Sequence, residues 1–340
     1  MSTTTTGAAI ATSCALVVCV TARVPHRILE GAGIEGWIVA LVVVVAAVNG
    51  VRAVVRAPFT FSRSSSPGAW AANEIKVFVV SVTAGSALTI PLYALLRSTP
   101  NWWLLAWLLF SAVTLVGQFA MPMLLRAQAG PIEPADAALT ARVVALGARA
   151  GVDIGAVQVA HGGRDKHCNA YVIGLGPTRR VVFGAAVAAW PADVADQVVA
   201  HEIGHWRLGH AARRLPLTVG AQLATFAFAA WMLAWTPLLH WAGVPSIGDP
   251  RSYPTLLLLT AAMALPARCL LAALDRGQER AADKFALSLL DEPHHFAAML
   301  DRAADEGEAP RALPWFRRIT ASHPPIDERI RSCMRYVSTA

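Results

Sequence analysis

Residues Val198-Val199-Ala200-His201-Glu202-Ile203-Gly204-His205-Trp206 place two histidines four positions apart, with a glutamate directly after the first. On a helix, residues four apart share a face, so both imidazoles can be aimed at one ion. Glu202 is rotated about 100° from His201 and addresses a water on that ion rather than the ion itself. Two neutral nitrogen donors and an adjacent carboxylate base are what zinc-assisted amide hydrolysis requires. The competing reading is a surface helix with two solvated histidines. At this chain's His and Glu frequencies, H-E-x-x-H arises by chance in about one sequence in a hundred, which favours the metal site.

A catalytic zinc needs a third protein donor and an open position. The run Asp275-Arg276-Gly277-Gln278-Glu279-Arg280-Ala281-Ala282-Asp283 follows two apolar stretches, Leu215 to Val244 and Pro254 to Leu274. A short turn-rich link, Pro245 to Arg251, joins them, so they read as a helical hairpin. A hairpin returns its end close to its start, which brings this run beside the His201 helix. Glu279 and Asp283 are four apart and share a face: one can bind metal while the other hydrogen-bonds a ligand imidazole. Alternatively, the run is a solvated charged helix in which Arg276 and Arg280 neutralise the acids.

The elements that position these groups belong to a membrane protein. The chain has 340 residues, 55% hydrophobic and only 15% charged, with mean hydropathy +0.48; soluble domains run near 25% charged. Six spans are expected: Gly7 to Val20, Gly36 to Val51, Val77 to Leu96, Trp102 to Leu125, and the two hairpin arms. A signal peptide is the alternative for the first, but no positive charge precedes its apolar run. The formal charge of +7 comes from Lys and Arg that flank apolar spans rather than forming a stripe, which argues against nucleic acid as partner. Arg52, Arg56, Arg63 and Lys76 enrich the 52–76 loop, while the 97–101 and 245–253 loops hold one basic residue each. The positive-inside rule therefore puts that loop, the N-terminus and both halves of the polar domain in the cytoplasm. Cys14, Cys19, Cys168, Cys269 and Cys333 show no paired spacing and imply no disulfide framework.

Between residues 126 and 214 the composition is that of a soluble domain. Ala135 to Ala150 has helical spacing and ends at Gly151. Three strand-like runs follow, Ala156–Ala160, Asn169–Ile173 and Arg180–Phe183, separated by glycine turns. Pro191 opens the next helix, expected to run through both histidines to about Arg213. The fold class is thus mainly α: a polytopic membrane protein of about six transmembrane helices with a zincin-like α+β catalytic domain carrying a small three-stranded sheet. The domain divisions are 1–125 (membrane), 126–214 (first catalytic half with the zinc helix), 215–274 (hairpin) and 275–340 (second catalytic half).

Four motifs occur in order along the chain. Asn169-Ala170-Tyr171 with Gly174 precedes His201-Glu202-Ile203-Gly204-His205-Trp206 and Leu208-Gly209-His210. Glu279-Arg280-Ala281-Ala282-Asp283-Lys284-Phe285-Ala286 follows the hairpin, and Ser322-His323-Pro324-Pro325 with Glu328-Arg329-Ile330 closes the chain. Together they resemble the integral-membrane zinc metallopeptidases of the CAAX prenyl protease type I family and their bacterial HtpX-like relatives. The resemblance covers residues 133–335. It implies one zinc per chain, held by His201, His205 and Glu279, with Asp283 orienting a ligand histidine. It implies Glu202 as general base and His323 at the peptide carbonyl or its oxyanion. Asn169, Ala170 and Tyr171 would lie on an edge strand that pairs with the substrate backbone. His210 reads as a structural histidine.

The function expected is a membrane-embedded, zinc-dependent endopeptidase in the cell membrane, its catalytic domain cytoplasmic and its substrates peptides or membrane proteins. Site-specific processing of a peptide or lipidated substrate is the alternative to general quality control. A non-catalytic zinc scaffold is the alternative from another class, and the lack of a cysteine-rich donor set speaks against it.

Overall fold

The computed structural model describes residues 46, 50, 66–128, 132–161, 170–173, 180–249, 252–306 and 310–337. The first two expected spans lie outside its continuous stretches, as does Asn169. The described elements are α1 (Pro67–Ser98), α2 (Trp102–Gln128), β1 (Ile132–Pro134), α3 (Ala137–Arg149), β2 (Ala156–Ala160), β3 (Ala170–Ile173), β4 (Arg180–Gly184), α4 (Ala185–Ala188) and α5 (Ala192–Arg207). They continue with α6 (His210–Leu233), α7 (Thr236–Ala242), α8 (Tyr253–Leu290), α9 (Pro293–Asp305), α10 (Trp315–Thr320) and α11 (Ile326–Val337).

The chain divides into two compact units. One takes in the described residues up to Ala112 together with 220–267; the other comprises 113–219 and 268–340. In the first, Leu92, Leu96, Trp102, Phe226, Leu233 and Leu256 form an apolar core. Tyr253 donates its hydroxyl to Thr89 Oγ1 at 2.8 Å within it. Among the described residues, three helices are long and apolar enough to cross a membrane: Trp70–Ser98, His210–Leu233 and Thr255–Leu290. Each of the three carries large apolar side chains on its outside, among them Val80 at 59% exposure, Trp231 at 70% and Leu265 at 58%, which suits lipid rather than water. The fifth expected span, Leu215 to Val244, is interrupted. The chain leaves α6 at Leu233 and starts α7 with Pro237 in its first turn, because proline has no N–H to continue the preceding helix.

The second unit is built around a four-stranded sheet in the order β1-β2-β4-β3. The three expected strands are present, and β1, a further short strand, pairs antiparallel to β2. β2 runs parallel to β4, and β3 pairs antiparallel to β4 and forms the other edge. Successive strand side chains point to opposite faces, and both faces of β4 are covered. Val181 and Phe183 join Val143, Leu146, Val199 and Ile203, while Val182 packs with Ala160 and Ile132. Asp136 caps α3 by accepting from the Leu139 amide at 2.7 Å.

Helix α5 is the centre of this unit. Ala195, Val199 and Ile203, spaced four apart, pack in the core that includes the sheet. Val194 and Ala200 join Ala286 and Leu287 of α8, Phe296 and Leu300 of α9, and Ile326 and Cys333 of α11. α5 ends at Arg207 rather than near Arg213. Gly209 takes the left-handed conformation at φ +66°, which costs a Cβ-bearing residue strain, and α6 begins at once with His210.

Candidate metal centre

The half of α5 that carries His201 and His205 meets the polar end of α8. Gly204 permits the close approach: a Cβ there would stand 3.1 Å from Phe285 Cδ1 and 3.3 Å from Ala282 Cα and O. With the helices so near, three donors converge. His201 Nε2 and His205 Nε2 are 3.1 Å apart. Glu279 Oε2 is 3.6 Å from the first and Glu279 Oε1 3.2 Å from the second. Donors about 2.0–2.2 Å from a tetrahedral ion stand about 3.3–3.6 Å from one another, so the observed triangle is of the right size for one ion. Glu279 Oε2 is also buried without a hydrogen bond of sound geometry among the described residues, although His323 Nδ1 lies 3.0 Å away. A buried carboxylate needs positive charge beside it, which Arg329 and the protonated His201 supply in the metal-free protein and an ion bound by the triangle would supply in place of the histidine proton. These donors fit a metal ion.

Behind the triangle lies a supporting set of polar groups. His201 Nδ1 is 3.0 Å from Asp283 Oδ1. Arg329 of α11 donates to Asp283 from Nε at 2.9 Å and from Nη2 at 2.6 Å. Its Nη1 lies 3.6 Å from Glu279 Oε2. His205 Nδ1 is 2.8 Å from His210 Nδ1. The face of α8 thus carries four residues at helical spacing. Glu279 and Asp283 serve the histidines, while Arg276 donates to Ile319 O and Ala321 O (3.2 and 2.8 Å) and Arg280 pairs with Glu328 at 2.8 Å. The arginines do not neutralise their own helix; Arg276 tethers the segment before His323 and Arg280 the helix after it.

Electrostatics follow from this crowding. Burial disfavours the imidazolium of His201, but the Asp283 and Glu279 carboxylates overcome it and hold its pKa up to about 10 in the metal-free protein. Burial also pushes the Glu202 carboxyl above the ordinary glutamate range, with His201 and His205 partly offsetting it. Burial works against the Arg329 charge, and Asp283 more than restores it. A carboxylate with raised basicity beside a metal triangle is placed for proton transfer.

The expected site residues therefore distribute as follows. His201, His205 and Glu279 come together, Asp283 stands behind His201, and Glu202 lies on the adjoining face of the same helix turn. His323 is largely exposed and reaches Glu279. Ala170 is buried on β3, where Tyr171 follows it, while Asn169 falls outside the described residues. Two participants have no such role expected from the sequence: Arg329, and His210 as the partner of His205. A signal for Arg329 exists. Ile326, Arg329, Ile330 and Cys333 recur at one helical face, and an arginine on an apolar stripe demands a carboxylate partner.

Comparison with known proteins adds to this geometry. The pattern of Peptidase family M48 matches residues 136–336, more than half of the chain. CAAX prenyl protease 1 of Saccharomyces cerevisiae is 25% identical over 296 residues, covering 79% of this chain and 64% of that protein. The uncharacterized metalloprotease YhfN of Bacillus subtilis is 25% identical over 278 residues, covering 79% and 65%. A CAAX prenyl protease 1 homolog of Dictyostelium discoideum is 29% identical over 150 residues, covering 43% and 35%. The chain thus spans about a third to just under two thirds of the length of these relatives. Among solved structures, S. mikatae Ste24p shares the fold with a TM-score of 0.68 at 17% identity, covering 86% of this chain and 75% of the other.

Proposed function

The chain belongs to Peptidase family M48, and from that premise we propose that it is a membrane-anchored, zinc-dependent endopeptidase. The observation that carries this reading is the convergence of His201, His205 and Glu279 donors beside a glutamate of raised pKa. A zinc ion held by those three residues would supply Lewis acidity, lowering the pKa of a water and polarising the scissile carbonyl. Glu202 takes the proton of the attacking water and delivers it to the leaving amine. His323, exposed beside Glu279, donates to the oxyanion that develops on the carbonyl. β3, an edge of the sheet, presents Ala170 and Tyr171 for backbone pairing with an extended peptide, and Asn169, which precedes them in the sequence, is proposed to join that pairing. The expected substrates are membrane-associated polypeptides. Loop charges favour a cytoplasmic catalytic side, and a hairpin of two crossings at 215–274 would keep 126–214 and 275–340, the two catalytic halves, on that same side.

Two other readings compare with it. The relatives named CAAX prenyl protease 1 favour site-specific processing of a lipidated substrate over broad quality control. A non-catalytic zinc scaffold has no use for Glu202 and would call for a closed donor set. A comparison of cleaved protein termini in cells carrying the wild type or Glu202→Gln separates these cases. Products present only with the wild type support the endopeptidase. One product at a modified C-terminus favours processing and a broad set favours quality control, whereas identical termini in both cells contradict proteolysis.

A further inference from the structure

The two histidines of the metal triangle have different supports. His201 Nδ1 faces a carboxylate, that of Asp283, at 3.0 Å. His205 Nδ1 faces another imidazole, His210 Nδ1, at 2.8 Å, with the ring planes 82° apart. On an unbroken helix, residues five apart lie about 140° from one another and do not touch. Here the left-handed Gly209 ends α5 and restarts the chain as α6. Gln278 donates its side-chain amide to His210 O at 3.1 Å, fixing the backbone of the new helix's first residue.

We propose that His210 is a positioning residue for the metal site: its Nδ1 accepts the Nδ1–H of His205 and thereby aims His205 Nε2 at the ion. This rests on the reading of the triangle as a zinc site. For His205 to offer Nε2 as a neutral donor, its proton must sit on Nδ1, and that N–H needs an acceptor. His210 Nδ1 is at hydrogen-bond distance, and it accepts only if the His210 proton is on Nε2. That Nε2 is buried with no hydrogen-bond partner among the described residues. As a packing residue His210 is therefore a poor choice, since burying an unpaired N–H opposes folding and an apolar side chain of similar size would not. What histidine contributes is the acceptor. The pairing also makes the site asymmetric: a carboxylate strengthens its histidine as a donor more than a neutral imidazole does.

The test uses the full chain in detergent, stripped of metal and titrated with Zn²⁺, with Co²⁺ as a visible probe of ligand geometry. His210→Leu removes the acceptor and the unpaired N–H together. We expect it to melt near the wild-type temperature when metal-free, since the unpaired N–H it removes from His210 offsets the one it leaves on His205, yet to bind Zn²⁺ about 10–100-fold more weakly and to shift the Co²⁺ absorption bands. His210→Ala, which lacks the same acceptor, should show the same affinity loss and spectral shift. His210→Asn, whose side-chain oxygen can take the place of Nδ1, should recover most of the affinity and the wild-type spectrum. Wild-type Zn²⁺ affinity and an unchanged Co²⁺ spectrum in both acceptor-free variants would overturn the role of His210 while leaving the zinc site standing. A wild-type protein that binds no Zn²⁺ would overturn the zinc reading itself.

Discussion

Arg329 grips Asp283 with two hydrogen bonds of 2.9 and 2.6 Å, and Asp283 in turn stands 3.0 Å from the imidazole of His201. A largely buried arginine in α11 thereby sets the orientation of a histidine in α5 through a carboxylate in α8. Removing one partner of a buried pair leaves the other charge uncompensated, at a cost of about 3–5 kcal/mol. Arg329→Ala should lower stability by that order and weaken metal binding. Arg329→Lys should do less harm but not restore the site, because an ammonium cannot bond both oxygens in a fork. Chemical unfolding and metal titration of both variants check this.

Gly204 sets the spacing of the two helices that supply the donors. A Cβ there would lie 3.1 Å from Phe285 and 3.3 Å from the Ala282 backbone, and backbone cannot give way as a side-chain tip can. Gly204→Val should cost about 1–3 kcal/mol through overpacking. It should also part Glu279 from the histidines, so metal affinity falls even in the protein that still folds. Affinity measured on the folded fraction tests the second effect separately.

Much of the centre was legible from spacing alone, because His201, Glu202 and His205 lie within one helical turn and a half. Periodicity also brought Glu279 and Asp283 to one face, but it left open which of them meets the metal. In the structure Glu279 faces both Nε2 atoms, and Asp283 lies 3.0 Å from Nδ1 of His201. Less visible were features that depend on tertiary pairing. β1 is three residues long and contains Pro134, so it shows no alternation and forms by pairing with β2. The break at Gly209 carries a glycine signal, yet polar residues continue on both sides and the helix reads as unbroken. Arg329 finds Asp283 across 46 positions of sequence, which no local window contains.

Proton linkage follows from His201. Burial lowers its pKa, but the Asp283 and Glu279 carboxylates raise it to about 10 in the metal-free protein, against 6.5 unperturbed. A folded-state pKa above the unfolded value stabilises below pH 6.5, and that contribution is lost as pH rises toward 10. Metal needs the neutral imidazole, so binding must expel a proton and affinity must rise with pH across this window. Zinc added to the metal-free protein in weak buffer near pH 7.5 should acidify the solution. Affinity that stays flat between pH 7 and 9 would contradict the linkage.

His323 is exposed and lies 3.0 Å from Glu279 Oε2, on the accessible side of the triangle. His323→Ala should leave zinc content and stability near wild type while cutting kcat about 10²–10³-fold, the range for loss of one oxyanion donor. Steady-state cleavage of a reporter peptide, read with zinc content on the same sample, checks both halves.

Glu202 decides whether this site hydrolyses peptides or merely holds metal. Glu202→Gln keeps the volume and removes the base, so the purified variant should retain one zinc per chain while peptide cleavage drops to background. Cleavage at the wild-type rate by the zinc-loaded variant would show that Glu202 is not the base and that the hydrolytic mechanism assigned to this helix is wrong.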